Sequence, residues 1–527
     1  MTPKSIDRPA TRGLTAMALT TVLLLAGCGG GSTTPNAAPT EKTLELSFLQ
    51  DPGQPPDPDV FYGTQGLLLT TNLYEGLLTF ASGTATPTLA PALATTWTES
   101  PDHRTFTFQL RQGVKFHDGT PLTSAAIKAS FDRRAAVDQG PAYMVKEVES
   151  VETQGDFAAT IQLKSPDSSF LYALASPYGP KLTSPTALAA NAGNDHGQTY
   201  LTTHDVGTGP YQLTDAKIGD KYQLSAFADY WGKKPYYETV NVPVMTDSSA
   251  QQLALESGTI AAILHDIPSS AVNTYTSNPK FATHILPTAG ADYMYVNPHT
   301  PVMTDPAVRK ALLQAVNVDE LVTNAYFSRG TAAKQIYPAN INDPRYAPQK
   351  IAYDPEVLKA AVNGLPANTR AIVIGYDSSS PDNQQVAALM GNQLSQSGLT
   401  VTEQAYPASQ IFGWTSNRDG APDILVNLGF PDAPHPYLFE HINFDPDGGV
   451  NFFGCSSPEA TALIARGRET GSAEDFSTAA EQAQATGCWM NLVDVADFMV
   501  TQPWLKGVEQ AHNVAVPTSL SLNELYQ

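Results

Sequence analysis

At 527 residues the chain is longer than one hydrophobic core usually organises, so two or three lobes are expected. Hydrophobic residues make up 42% of it and charged residues 15%, an ordinary globular balance that excludes a disordered chain. The formal net charge of -21 argues against nucleic acid or an anionic membrane surface as partner, because both need a basic face.

Residues 1–27 have the three parts of an export signal: a basic start with Lys4, Arg8 and Arg12 against Asp7, an apolar run from Leu14 to Gly27, and small residues before the break. The apolar run of 14 residues is too short to span a bilayer, which needs about 20. Leu25-Ala26-Gly27-Cys28 resembles the lipobox of bacterial lipoproteins, and that resemblance implies cleavage before Cys28 and lipid on its thiol. The alternative, a short buried helix with Cys28 as a small apolar residue, does not account for the Gly-Ser-Thr-Pro stretch that follows. Residues 28–43 read instead as a flexible tether. Loss of the signal leaves 27 basic and 50 acidic residues, a net charge near -23. The rest of the chain is expected to be a water-soluble body outside the cytoplasmic membrane, held to it only through the lipid.

From residue 44 to about 290 the pattern is mostly short alternating strands with turn signals and a few helices. TFTFQLRQGVKF predicts a strand pair, with Phe106, Phe108 and Leu110 on one face, a break at Gly113, and Val114 and Phe116 resuming. Asp118-Gly119 predicts a turn, and Thr123 is placed to cap a helix whose apolar stripe is Ala126, Ile127, Ser130 and Phe131. TDPAVRKALLQAV predicts a helix capped by Asp305, with Pro306 in its first turn and Val308, Leu312 and Ala315 buried. The last third alternates strands (TRAIVIGY, PDILVNLGF) with helices (NQQVAALMGNQLSQSG, SPEATALIARGRE), a rhythm that predicts an α/β lobe with a largely parallel sheet. With Cys28 taken by lipid, Cys455 and Cys488 are an even pair in an oxidising compartment and are expected to form a disulfide; two separate buried thiols are the alternative.

Four segments carry a family resemblance: NLYEGLLTF at 72–80, PALATTWTESPDHRTFTFQLRQGVKFHDGTPLTSAAIKASFDR at 91–133, VGTGPYQL with ADYWGKKPYYETV at 206–213 and 228–240, and VRKALLQAVNVDELV from Val308 after the strand MYVN. In order and spacing the chain resembles the solute-binding proteins of bacterial peptide and nickel ABC transporters, the dipeptide- and oligopeptide-binding family. The resemblance implies an α/β fold of two lobes, a Venus flytrap with an extra inserted domain and mixed sheets, which closes on its ligand by hinge rotation. Mapped here, lobe I would be 44–72, 205–288 and 502–527, inserted domain II 73–204, and lobe III 289–501. VGTGPYQL is not a dinucleotide loop, since Gln212 stands where a third glycine belongs.

The peptide-binding relatives carry an aspartate on a loop after a lobe III strand, followed four residues later by proline and then an aromatic; its carboxylate pairs with the ligand's α-ammonium. NLGFPDAPHPYLFEH at 427–441 places Asp432, Pro436 and Phe439 at that spacing, against a solvated or turn-forming aspartate as the plain reading. Some relatives also place an arginine for the ligand carboxylate after the strand matching AIVIGY, and this chain has YDSSSPDNQQ there. Phe430, Trp414, Tyr293 and Asn297 complete the expected ligand-binding set, with Tyr293 and Asn297 near the expected crossing of the lobes; a core role is the alternative. His435, Glu440 and His441 have no regular metal-ligand spacing, and NFDPDGG lacks the closing glutamate of a calcium loop, so no metal or other cofactor is expected.

The sequence has no G-x-S-x-G elbow, no H-E-x-x-H, no C-x-x-C and no P-loop, which argues against an enzyme. The expected function is a lipid-anchored, monomeric receptor that binds di- to oligopeptides and delivers them to the permease and ATPase subunits of an ABC importer. The alternatives are a receptor for a sugar, opine or metal complex, or a signalling or adhesion lipoprotein on the same fold.

Overall fold

Two long antiparallel strands, Ala282–Val296 and Trp489–Thr501, organise the protein. The computed structural model describes residues 42–265, 267–327, 329–339, 341 and 350–527; the export signal, Cys28 and most of the tether lie outside the described residues. At one end this strand pair is joined by the short strand Ala262–Ile263; at the other it carries Ile424–Gly429, Ala371–Asp377 and Thr400–Tyr406. These last three run parallel to one another, while Ile424–Gly429 and Trp489–Thr501 each pair antiparallel with Ala282–Val296. The expected largely parallel sheet is therefore corrected to a mixed one: the α/β rhythm generates parallel neighbours only between residues 371 and 429, and the long strands pair where the chain doubles back. Met294 and Val426 face a core on one side of this sheet, and Tyr293, Tyr295 and Leu425 face another.

Among the described residues two four-stranded sheets and two strand pairs, Leu78–Phe80 with Leu89–Pro91 and His512–Asn513 with Val516–Leu520, accompany it. Thr43–Glu45 pairs in parallel with Thr239–Pro243, which continues antiparallel to Lys221–Ala226 and Tyr211–Lys217. Ala94–Glu99, Thr105–Leu110, Ala158–Leu163 and Val148–Thr153 form a four-stranded antiparallel sheet. Phe106, Phe108 and Leu110 share its buried face, as their alternation predicts.

The expected partner strand at 114–116 does not form. Gly113 and Gly119 take positive φ, and Phe116 and Leu122 bond within the loop, to Thr120 and Val114, instead of extending a sheet; Val114 and Phe116 are nevertheless buried. Helix Ala125–Val137 buries the predicted stripe, but Thr123 does not cap it. The residue before the helix is Ser124, whose hydroxyl is turned away to the Gly155 carbonyl at 2.6 Å. Helix Pro306–Gln314 starts as its sequence predicts, the Asp305 side chain accepting from the Ala307 N–H at 2.8 Å.

Cys455 and Cys488 are bonded through their sulfurs, with Cα atoms 6.5 Å apart, which ties the loop before helix Pro458–Thr470 to the start of the strand Trp489–Thr501. Among the described residues no helix is long and apolar enough to cross a membrane.

Candidate ligand site

Asp432 sits on the loop between the strand Ile424–Gly429 and the helix Pro436–Phe444, and it is 5% exposed. Its carboxylate meets residues from remote parts of the chain. The hydroxyls of Tyr62, at 2.6 Å, and Tyr143 both donate to Oδ2, and Ser176 donates to the Asp432 backbone carbonyl. Among the described residues nothing donates to Oδ1. Burial pushes the Asp432 carboxyl above the ordinary carboxylate range, while the hydrogen bonds from Tyr143 and Tyr62 hold it down in part.

A buried ion cluster fixes this wall. Arg133 binds Asp57 through both terminal nitrogens at 2.8 and 2.6 Å, and Arg134 reaches Asp59 at 2.8 Å and the Pro58 and Tyr178 carbonyls at 2.7 Å each. The four side chains neutralise one another and satisfy each other's donors, the condition under which buried charge is tolerated. They pin the 57–62 segment to the helix Ala125–Val137, so that the Tyr62 ring stands edge-on against Tyr178 at 5.1 Å. Gly140 has φ +39, and a side chain there would meet the Tyr62 Cβ at 2.8 Å; glycine lets the short helix carrying Tyr143 approach Tyr62.

A second contact joins the same two sides of the molecule. Arg468 on helix Pro458–Thr470 pairs with Asp167 at 2.9 Å and lies over the Tyr437 ring at 5.1 Å, while the Ser168 N–H donates to the Arg468 carbonyl at 2.9 Å. A buried carboxylate presented to two phenols, with no cation in contact among the described residues, is equipped to receive an ammonium group.

The remaining expected ligand residues lie elsewhere. Trp414 is 1% exposed, packed edge-on against Tyr406 at 4.9 Å, and its indole N–H has no partner among the described residues. Tyr293 packs on Phe439, 5.8 Å between ring centres, with its hydroxyl likewise unpartnered. Asn297 is tied up locally: it donates to the Pro422 carbonyl and accepts from the His299 N–H, both at 3.1 Å. Phe430 stacks on Gly290 of the long strand and borders a small cavity of about 110 Å³ together with Arg329 and Asp382. None of Trp414, Tyr293 and Asn297 shares a hydrogen bond or ring contact with Asp432, Tyr62 or Tyr143.

Sequence reasoning missed Tyr62, Tyr143, Ser176 and Arg468. Their local contexts, VFYG, PAYM, LASP and ARGRE, carry no motif, and only the paired acids of DPD and the paired bases of DRR hint at an ion cluster. His435 caps its helix by accepting from the Tyr437 N–H at 3.1 Å, and burial pulls its imidazole down to about 4. Among the described residues no group of three or more His, Cys, Asp or Glu is placed to hold a metal.

Residues 88–450 match the family described as bacterial extracellular solute-binding proteins, family 5. The chain is 24% identical to the nickel-binding periplasmic protein of Escherichia coli K12, over 79% of this chain and 81% of that one. It is 32% identical to the glutathione-binding protein of Salmonella typhi, over 60% and 61%. The fold superposes on the ABC transporter-associated periplasmic binding protein of Helicobacter pylori in complex with the peptide STSA, with a TM-score of 0.77 at 22% identity, covering 92% of this chain and 98% of the other.

Proposed function

Since the chain belongs to the bacterial extracellular solute-binding proteins of family 5, which bind solutes and are not enzymes, we propose that it is the lipid-anchored receptor of an ABC importer for peptides. In this reading Cys28 carries the lipid, lobe I comprises 44–72, 205–288 and 502–527, domain II 73–204 and lobe III 289–501. The peptide lies where lobe III meets the other two, with its α-ammonium on Asp432. The closed protein then docks on the permease and ATPase subunits as a monomer.

The observation that carries this reading is the Asp432 carboxylate: buried, bound through Oδ2 to two neutral phenols, and without a donor on Oδ1 among the described residues. An ammonium group adds the charge-assisted bonds that this oxygen lacks. Closure follows because such a ligand contacts both sides at once and so favours the closed state over the open one. Phe430, Tyr293, Asn297 and Trp414 are the further candidates for shaping the pocket.

A second reading has one observation in its favour. The segment after the strand Ala371–Asp377 supplies no arginine; Ser380 there caps helix Pro381–Ser395. This fits a ligand without a free α-carboxylate, either a longer peptide held by its backbone or a non-peptide such as an opine, sugar or metal complex. Native mass spectrometry of the purified chain, followed by denaturation and identification of what is released, separates the readings. A ladder of peptides supports peptide import, and a single sugar, opine or metal complex replaces it.

A further inference from the structure

Around Lys181 lies a cavity of about 500 Å³ to which the large mixed sheet contributes no residue. Its walls come from residues 71–82, 91–92, 175–181, 210, 230–231 and 510–524. Most polar groups on these walls are spent on neighbours. Asn72 donates to the Leu68 and Leu520 carbonyls and accepts from the Leu522 N–H; Asn513 donates to the Phe80 carbonyl and accepts from the Ala515 N–H. Glu75 accepts from Thr208, Tyr230 and Trp231 at 2.8 to 3.1 Å.

Lys181 is different. It is 6% exposed, and its ammonium makes one hydrogen bond, to the Ser176 carbonyl at 2.8 Å. Among the described residues no carboxylate comes within ion-pairing distance, and Glu75 attracts it only from further off. Two of its three donors are therefore unspent inside the protein, where a buried charge without a counterion is costly.

We propose that this cavity is a second ligand site, for a small monocarboxylate whose two oxygens take the free donors of Lys181. A single ammonium with Glu75 nearby favours a monoanion over a dianion, since one lysine cannot offset two negative charges beside a carboxylate. Leu78, Phe80, Pro177 and Val516 line the same cavity and suit a short apolar tail. The site goes beyond peptide reception: Asp432, Tyr62 and Tyr143 are not among its lining residues, and Ser176, whose hydroxyl reaches Asp432 and whose carbonyl holds Lys181, is the link between the two.

The groups acting on Lys181 give the site a pH signature. Burial, helped by the positive charge of Arg134, pulls the ammonium down to about 7, with Glu75 opposing. Butyrate binds only the charged lysine, so its affinity should fall roughly ten-fold between pH 6 and pH 8. Burial raises the Glu75 carboxyl, and its protonation on the acid side acts in the same direction. Glu524 at the rim is paired with Lys233 at 2.7 Å.

The test is calorimetric titration of the full-length lipoprotein with sodium butyrate at both pH values, with inorganic phosphate as comparison. Butyrate heat that weakens with pH, is lost in Lys181→Met and in the rim variant Gln510→Trp, and persists in Asp432→Asn is the expected result. The rim variant blocks the cavity without removing the buried lysine, so it reads the site even if Lys181→Met does not fold. The assignment is overturned by the absence of butyrate binding, by binding unchanged in Gln510→Trp, by loss of binding in Asp432→Asn, or by phosphate binding in place of butyrate.

Discussion

The Tyr62 hydroxyl lies 2.6 Å from the Asp432 carboxylate although 370 residues separate them, and this bond spans the junction at which the proposed ligand would be enclosed. Tyr143 shares the same oxygen. Replacing the carboxylate by an amide keeps the shape and removes the charge. Asp432→Asn should therefore weaken peptide binding by at least about 1.5 kcal/mol, measured by calorimetry with whatever ligand native mass spectrometry releases. Unchanged affinity would remove Asp432 from the site.

The same carboxylate sets a pH dependence. Its pKa is raised in the free protein, and an arriving ammonium lowers it again, so binding releases a proton. Affinity should decline as pH falls through the raised value of the free protein and level off above it. Tyr62→Phe combined with Tyr143→Phe removes two bonds that favour the ionised form and should move that decline to higher pH. A profile that does not move with the double variant would show that the phenols do not govern the titration.

Arg468 and Asp167 make a further polar link across the junction. Arg468→Gln should shift the ligand-free protein towards an open form, read as a larger radius of gyration by X-ray scattering, and lower affinity by a few-fold, about 1 kcal/mol. Identical scattering curves for variant and parent would mean that this pair does not bias closure.

Asp292 on the long strand is fully buried, accepts from Asn383 at 2.8 Å and from Tyr326, and is pushed up to about 7, chiefly by burial. A carboxyl raised in the folded state above its unfolded value of 3.8 keeps its proton longer when folded, so stability is fully present at low pH and is lost as pH rises from about 4 to about 7. Asp292→Asn removes that loss. Its unfolding free energy should gain about 1–3 kcal/mol on the parent between pH 5 and pH 8, measured by urea denaturation at each pH.

The bond between Cys455 and Cys488 closes a loop with a sequence separation of 33. Changing both to alanine should lower stability by roughly 2–4 kcal/mol in the loop-entropy account. Non-reducing peptide mapping should find the two cysteines joined, and two free thiols in the exported protein would contradict the bond.

What was legible in the sequence was local. Phe106, Phe108 and Leu110 alternate because a strand alternates, and Asp305-Pro306 opens a helix because an acceptor and a missing N–H suit its first turn. Asp432 was reached through a resemblance in a short loop. Its partners were not, because Tyr62 and Tyr143 come to it by topology over 370 and 289 residues, which no local pattern encodes. Trp414 shows the opposite difficulty. An aromatic near a binding loop reads as a contact residue, yet composition cannot say whether it faces a cleft or, as with Trp414 against Tyr406, the interior. Thr123 and Ser124 are both plausible caps in sequence, and a tertiary bond to Gly155 takes the second hydroxyl for another purpose.

The pairing of the two long strands shifts register between Pro287 and Ala291, where Thr288, Ala289 and Gly290 oppose the single residue Val495. Ala289 turns its N–H to Val514, and Phe430 rests on Gly290. A second shift follows between Asp292 and Tyr293, so the ladder of the crossing strands is interrupted twice within six residues, and a twist at 288–290 need not unzip the regular stretches on either side. In the proposed closure this is the point at which the crossing can bend, and the Phe430 ring packed on Gly290 is the side chain such a bend would displace. Opening at this bend would then be opposed chiefly by the side-chain contacts of Asp432 and Arg468, which a ligand or a point substitution can reach, and not by the strand ladder.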